Sequence, residues 1–69
     1  MTVLYVDPEG RVHSGRLEAE GESSLLTTRS GRSLEPREVA AIVAPRTPTN
    51  SERTAFHRAA AAGYRVERR

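Results

Sequence analysis

Between Val3 and Val43 the chain is cut into short alternating segments by Gly10, Gly15, Gly21 and Gly31, and after Pro45 that pattern stops. A period of two, broken by a turn about every ten residues, is what short antiparallel strands require, because successive side chains on a strand point to opposite faces. The clearest case is Arg11 to Glu20. Val12, Ser14, Arg16, Glu18 and Glu20 share one side, and Arg11, His13, Gly15, Leu17 and Ala19 share the other. A glycine inside such a run marks a bend or bulge, so Gly15 is expected to let one long strand turn a corner of a sheet.

The turns carry their own chemistry. Thr2 to Val6 is β-branched and aromatic, and Asp7-Pro8-Glu9-Gly10 follows it with a proline that fixes φ and a glycine that accepts a positive φ. Gly21-Glu22-Ser23 turns the chain into Ser24 to Arg29, Ser30-Gly31-Arg32 turns it again toward Ser33-Leu34, and Glu35-Pro36-Arg37-Glu38 precedes a last apolar run, Val39 to Val43. Five strands with such short connections predict an antiparallel meander closed into a small barrel. A parallel arrangement is not expected, because the crossover segments it needs are missing between these strands.

The segment Gly10-Arg-Val-His-Ser-Gly15-Arg-Leu17-Glu-Ala-Glu20 resembles the "glycine, four residues, glycine, any, leucine, two residues, acid" pattern of the small SH3-like and Sm-like barrels. Val39-Ala-Ala-Ile42-Val43 is similar to their closing strand. The resemblance implies the barrel shape over some forty residues. It does not carry the base-binding pocket of Sm-like proteins across, because Ser23 and Ser24 stand where those have an asparagine and Leu34-Glu35-Pro36 replaces their motif before the last strand.

After Ala44-Pro45 the stretch Arg46-Thr47-Pro48-Thr49-Asn50 is held extended by its prolines. Thr49 with Glu52 three positions on forms a capping box, which predicts a helix from about Asn50 to Ala62. Ala55, Phe56, Ala59 and Ala60 make a thin apolar stripe on it, with Arg53, Thr54, His57 and Arg58 turned away. Gly63 stands where a left-handed C-cap is wanted, Tyr64 can fold back on Ala59, and Tyr64-Arg65-Val66 is expected to extend as a last short strand. The fold expected is therefore mainly β: a five-stranded antiparallel SH3-like or Sm-like barrel over residues 1–45, a connector over 46–50, and a helix, short strand and basic tail over 51–69, one domain in all.

Sixty-nine residues without cysteine allow neither disulfides nor thiolate metal sites, and a chain of this size buries only about 60% of its unfolded surface. Good packing and self-association are the remaining sources of stability, so a homo-oligomer is expected. No segment reads as a secretory signal and no apolar run approaches the roughly 20 residues that span a bilayer. The expectation is a cytoplasmic protein with no membrane partner.

All eleven basic residues are arginine, and they are unevenly placed. Residues 1–45 carry more acids than arginines, whereas 46–69 set six arginines against Glu52 and Glu67. Arg53, Arg58, Arg65, Arg68 and Arg69 are the candidate contacts to nucleic-acid phosphate, in RNA or DNA. Phe56, Tyr64 and Val66 are the candidate interface of a second reading, in which the C-terminal segment docks on a protein partner or a second copy. His13 and His57 have no histidine or cysteine at metal-ligand spacing, and the serines of the turns have no base beside them, so neither metal, cofactor nor catalytic residue is expected. Glu18, Glu20 and Glu22 read as a solvated acidic face. The expected function is that of a non-catalytic binding module.

Overall fold

The computed structural model describes residues 1–69. Six strands form one sheet: β1 (Thr2–Val6), β2 (Val12–Glu20), β3 (Ser23–Thr28), β4 (Ser33–Leu34), β5 (Ala41–Ala44) and β6 (Val66–Arg68), with a single helix, α1 (Asn50–Ala61), between β5 and β6. In space the order is β4-β3-β2-β1-β5-β6. The molecule is thus mainly β with one C-terminal helix.

The first turn forms because Asp7 organises it. Its Oδ1 accepts from the backbone N–H of Glu9 at 3.0 Å and of Arg11 at 2.8 Å, and its carbonyl accepts from Gly10. The side-chain bonds replace ladder bonds that the reversing chain cannot make. The hairpin that results pairs Val3 with Gly15 and Tyr5 with His13, and the next pairs Leu17 with Leu26 and Ala19 with Ser24. The alternation of β2 is therefore honoured, with Gly15 and Leu17 buried and Arg16, Glu18 and Glu20 in solvent.

Gly15 is required by close approach. A Cβ there would stand 2.6 Å from the Thr27 carbonyl oxygen and 2.9 Å from Cε1 of Tyr5. The missing side chain lets the Tyr5 ring cross β2, where it stacks on His13 with ring centroids 5.2 Å apart.

β5 returns to pair with β1, Ile42 beside Tyr5, after a one-turn 3-10 helix at Pro36–Glu38. The five-stranded closed barrel expected from the sequence is corrected here: the sheet has six strands and stays open, with β4 and β6 as its edges. The antiparallel order expected among the first five strands holds, and the parallel pair is added by the sixth. β6 lies parallel to β5, with Ile42 beside Val66 and Ala44 beside Arg68, and the segment from Pro45 through α1 to Arg65 is the crossover. Its bonds include Ile42 N–H to Arg65 O at 2.7 Å and Arg69 N–H to Ala44 O at 3.1 Å. β6 begins at Val66 rather than Tyr64 because Tyr64 is spent on the helix end.

α1 starts as its capping chemistry dictates. Thr49 Oγ1 accepts from Glu52 N–H at 3.1 Å and Glu52 Oε1 accepts from Thr49 N–H at 2.8 Å. It ends at Ala61, one residue short of the expected limit. Gly63, at φ +105°, and Tyr64 then send their N–H groups back to Ala60 and Ala59 carbonyls, 3.0 Å each. The positive φ is open to glycine without strain, and it turns Tyr64 under the helix.

One core joins both parts of the chain. Val3, Tyr5, Leu17, Leu26, Leu34, Val39, Ile42 and Ala44 meet Phe56, Ala59 and Tyr64 from the C-terminal segment. Burying Phe56 supplies about 1.5–3 kcal/mol, the largest single contribution of a helix otherwise docked by alanine. No helix is long and apolar enough to cross a membrane.

Candidate functional site

α1 lies across one face of the sheet and makes a groove on each flank. On the flank toward the β2–β3 hairpin, Ser51, Thr54, Ala55 and Arg58 face Leu17, Glu18, Ala19 and Ser24 across a groove of about 210 Å³. On the other flank, Arg53, Phe56, His57 and Ala60 face Ala44, Val66 and Arg68, with Pro48 closing one end of a groove of about 270 Å³. The helical period explains the division: residues 51, 54, 55 and 58 form one stripe, and 53, 56, 57 and 60 another.

The five candidate arginines are distributed over three places. Arg53 and Arg68 both line the groove between α1 and β6, where the parallel pairing of β6 sets Arg68 beside Ala44. Arg58 lines the opposite groove. Arg65 and Arg69 converge on Glu67, Nε of Arg65 to Oε1 at 3.3 Å and Nη2 of Arg69 to Oε2 at 3.9 Å, and Arg69 also lines a groove beside Glu52 and Phe56 of α1. That last grouping was open to sequence reasoning, since 65, 67 and 69 alternate onto one face of a strand.

Elsewhere Arg16 pairs with Glu18, Arg32 with Glu38 and Arg37 with Glu35. Arg53, Arg58 and Arg68 form no ion pair, and all three are exposed. The floor of the α1–β6 groove is apolar: Phe56 and Ala44 are buried and Val66 is half-buried. Of the candidate interface residues, Phe56 and Tyr64 are 7% and 4% exposed and belong to this chain's own core, while Val66 borders the groove. Tyr5 is 6% exposed, so no aromatic ring is offered to solvent.

The acidic residues divide in the same way. Arg16 beside Glu18 holds that carboxyl below the usual range, chiefly through their hydrogen bond. Asp7 is lowered as well, first by the hydrogen bond with His13, whose Nε2 lies 2.7 Å from Oδ2, and then by the Arg11 N–H. Glu38 is lowered by the Glu35 N–H and, less, by Arg32. Glu20 and Glu22, at the tip of the β2–β3 hairpin, are exposed and enter no ion pair. No three His, Asp or Glu side chains lie close enough together to hold a metal ion.

The α1–β6 groove is thus of mixed character, an apolar trough lined also by two guanidinium groups without ion-pair partners and an imidazole. Comparison with protein-family models, curated proteins and solved structures gives no match for this chain.

Proposed function

We propose that the chain is a non-catalytic protein-interaction module whose α1–β6 groove receives an acidic, extended segment of a partner. The observation that carries this reading is the presence of Arg53 and Arg68, both without a carboxylate partner, in one groove with a floor made by Phe56, Ala44 and Val66. Guanidinium groups match carboxylates in bidentate geometry, and an apolar floor between them favours a side chain over open solvent. Both grooves are open, and neither gathers the titratable groups that acid-base or covalent chemistry would need.

The small-barrel likeness of residues 10–20 is supported by the strand order, in which β5 comes back beside β1 after the β2-β3-β4 meander. On this proposal β1–β5 is an SH3-like arrangement left open at β4, and the crossover through α1 adds β6 and the groove.

Nucleic acid is the second reading, supported by the same arginines. It lacks exposed aromatic rings for base stacking, and two of its five arginines share the single carboxylate of Glu67. The test is fluorescence anisotropy of a labelled Asp/Glu-rich peptide and of a labelled single-stranded oligonucleotide. The interaction reading expects the peptide to bind, to weaken with salt, and to be released by Arg53→Glu with Arg68→Glu. Tighter binding of the oligonucleotide, with a steep salt dependence and loss in the same variant, would decide for nucleic acid.

A further inference from the structure

The α1–β6 groove is lined by no carboxylate, and the tip of the β2–β3 hairpin, Ala19 to Ser24, carries no cation. We propose that the β2–β3 tip of a second copy, bearing Glu20 and Glu22, occupies the α1–β6 groove, and that the exchange is mutual. The inference rests on the interaction reading above and names its partner.

The hairpin has the form of an insertable element. β1 pairs with β2 only as far as Arg16, so from Glu18 onward β2 has no strand neighbour but β3. Glu18–Leu25, Ala19–Ser24 and Glu20–Ser23 form a two-stranded ribbon that lies beside α1 at Ala19 and Ser24 and ends in an exposed tip at Glu20, Gly21 and Glu22. Glu18 is already held by Arg16 at 2.8 Å. Glu20 and Glu22 are thus the free carboxylates at its end, and Arg53 and Arg68 are the free guanidinium groups of the groove.

The pairing cannot be made within one chain, because α1 stands between the two parts. Its Ser51, Thr54, Ala55 and Arg58 stripe faces the hairpin, and its Arg53, His57 and Ala60 stripe faces away from it. Two copies related by a two-fold axis satisfy both grooves at once and close the assembly, whereas a one-way insertion would propagate. A chain whose single core is built from eleven buried residues gains from such association. Net charge of +2 leaves little repulsion between copies.

The experiment is sedimentation velocity on the full chain at low and high salt, with two charge-reversed variants, Glu20→Arg/Glu22→Arg and Arg53→Glu/Arg68→Glu. Circular dichroism first establishes that each variant is folded, and Glu20→Gln/Glu22→Gln serves where reversal disturbs the hairpin. The expected result is a wild-type dimer that salt dissociates, a dissociation constant raised about tenfold or more in each variant alone, and a heterodimer restored when the two reversed variants are mixed. A wild-type chain that stays monomeric at low salt overturns the proposal, as does a dimer that neither variant weakens or a mixture that fails to recombine. Adding the labelled acidic peptide separates the two levels. A monomer that still binds the peptide through Arg53 and Arg68 removes the second copy but keeps the groove, and a chain that does neither removes both.

Discussion

The Tyr64 hydroxyl lies 3.2 Å from the backbone nitrogen of Leu26, 38 residues away in the chain, and accepts its hydrogen. The same hydroxyl donates to the carbonyl of Leu34, so it stands between β3 and β4 where the two strands face each other at Leu26 and Leu34. A residue sent inward by the end of α1 thereby holds the two-residue edge strand on the sheet. No buried side-chain polar atom is left without a partner.

Tyr64→Phe keeps the ring and deletes that bridge. A buried N–H and a buried C=O lose their partner, which costs about 1–3 kcal/mol. For a domain of this size the melting temperature is expected to fall by roughly 4–8 °C per kcal/mol. Hydrogen exchange should locate the damage at Leu26 N–H and at β4. An unchanged exchange rate at Leu26 would show that the hydroxyl is not what protects it.

Gly15→Ala tests the close approach in the middle of β2. The added methyl meets the Thr27 carbonyl, which the sheet holds in place, at 2.6 Å, and the edge of Tyr5 at 2.9 Å. Overpacking of this kind costs about 1–3 kcal/mol. Ser14→Ala, one residue earlier on the opposite face, is the control and should shift stability by less than about 0.5 kcal/mol. Equal urea midpoints for the two variants would contradict the packing described.

The features written locally were legible before the structure. Thr49, Glu52 and Gly63 bound the helix through bonds that span three or four residues, and Asp7 with Gly10 fixes the first turn in the same way. The need for glycine at position 15 is likewise a property of one position, met by a close approach to Thr27 and Tyr5. What could not be read is the consequence of placement. Val66–Arg68 is too short to show a period, and its parallel partner β5 is chosen by where α1 sets the chain down. The barrel closure inferred from the first five strands therefore gave way to an open sheet of six, in which their antiparallel order is kept and one parallel pair is added. The same placement puts Arg68 in one groove with Arg53 while leaving Arg65 and Arg69 with Glu67. Tyr64 was legible as a contact of the helix end, and its hydroxyl's place between β3 and β4 was not, because no sequence spacing encodes a bond across that distance.

Acid should weaken the first hairpin through Asp7. Its carboxyl is held below the ordinary 3.8 by the hydrogen bond with His13 and then by the Arg11 N–H. A depressed folded-state value means stability that is present above the unfolded value and lost as pH falls through the folded one. Asp7→Asn keeps an oxygen for the turn and removes the titration. The wild type is expected to exceed this variant in urea midpoint near neutral pH, and the gap should narrow as pH drops below 3.8. A gap that stays constant across that range would assign the turn to the amide-compatible bonds alone.

Thr49→Ala links the helix start to the groove. Thr49 Oγ1 caps the Glu52 N–H, and the Thr49 carbonyl accepts from Arg53 N–H at 2.8 Å, so the first turn that the cap secures is the one that presents Arg53. Losing such a cap costs about 0.5–2 kcal/mol, expected as a lower melting temperature. Because the fraying is confined to the first turn, Arg53 is affected and Arg68, carried by β6, is not. Affinity for the acidic peptide should therefore fall less than in Arg53→Glu with Arg68→Glu, and Thr49→Ser, which restores the hydroxyl, should recover both stability and binding. A Thr49→Ala chain that melts earlier yet binds the peptide unchanged would show that recognition does not depend on an ordered first turn.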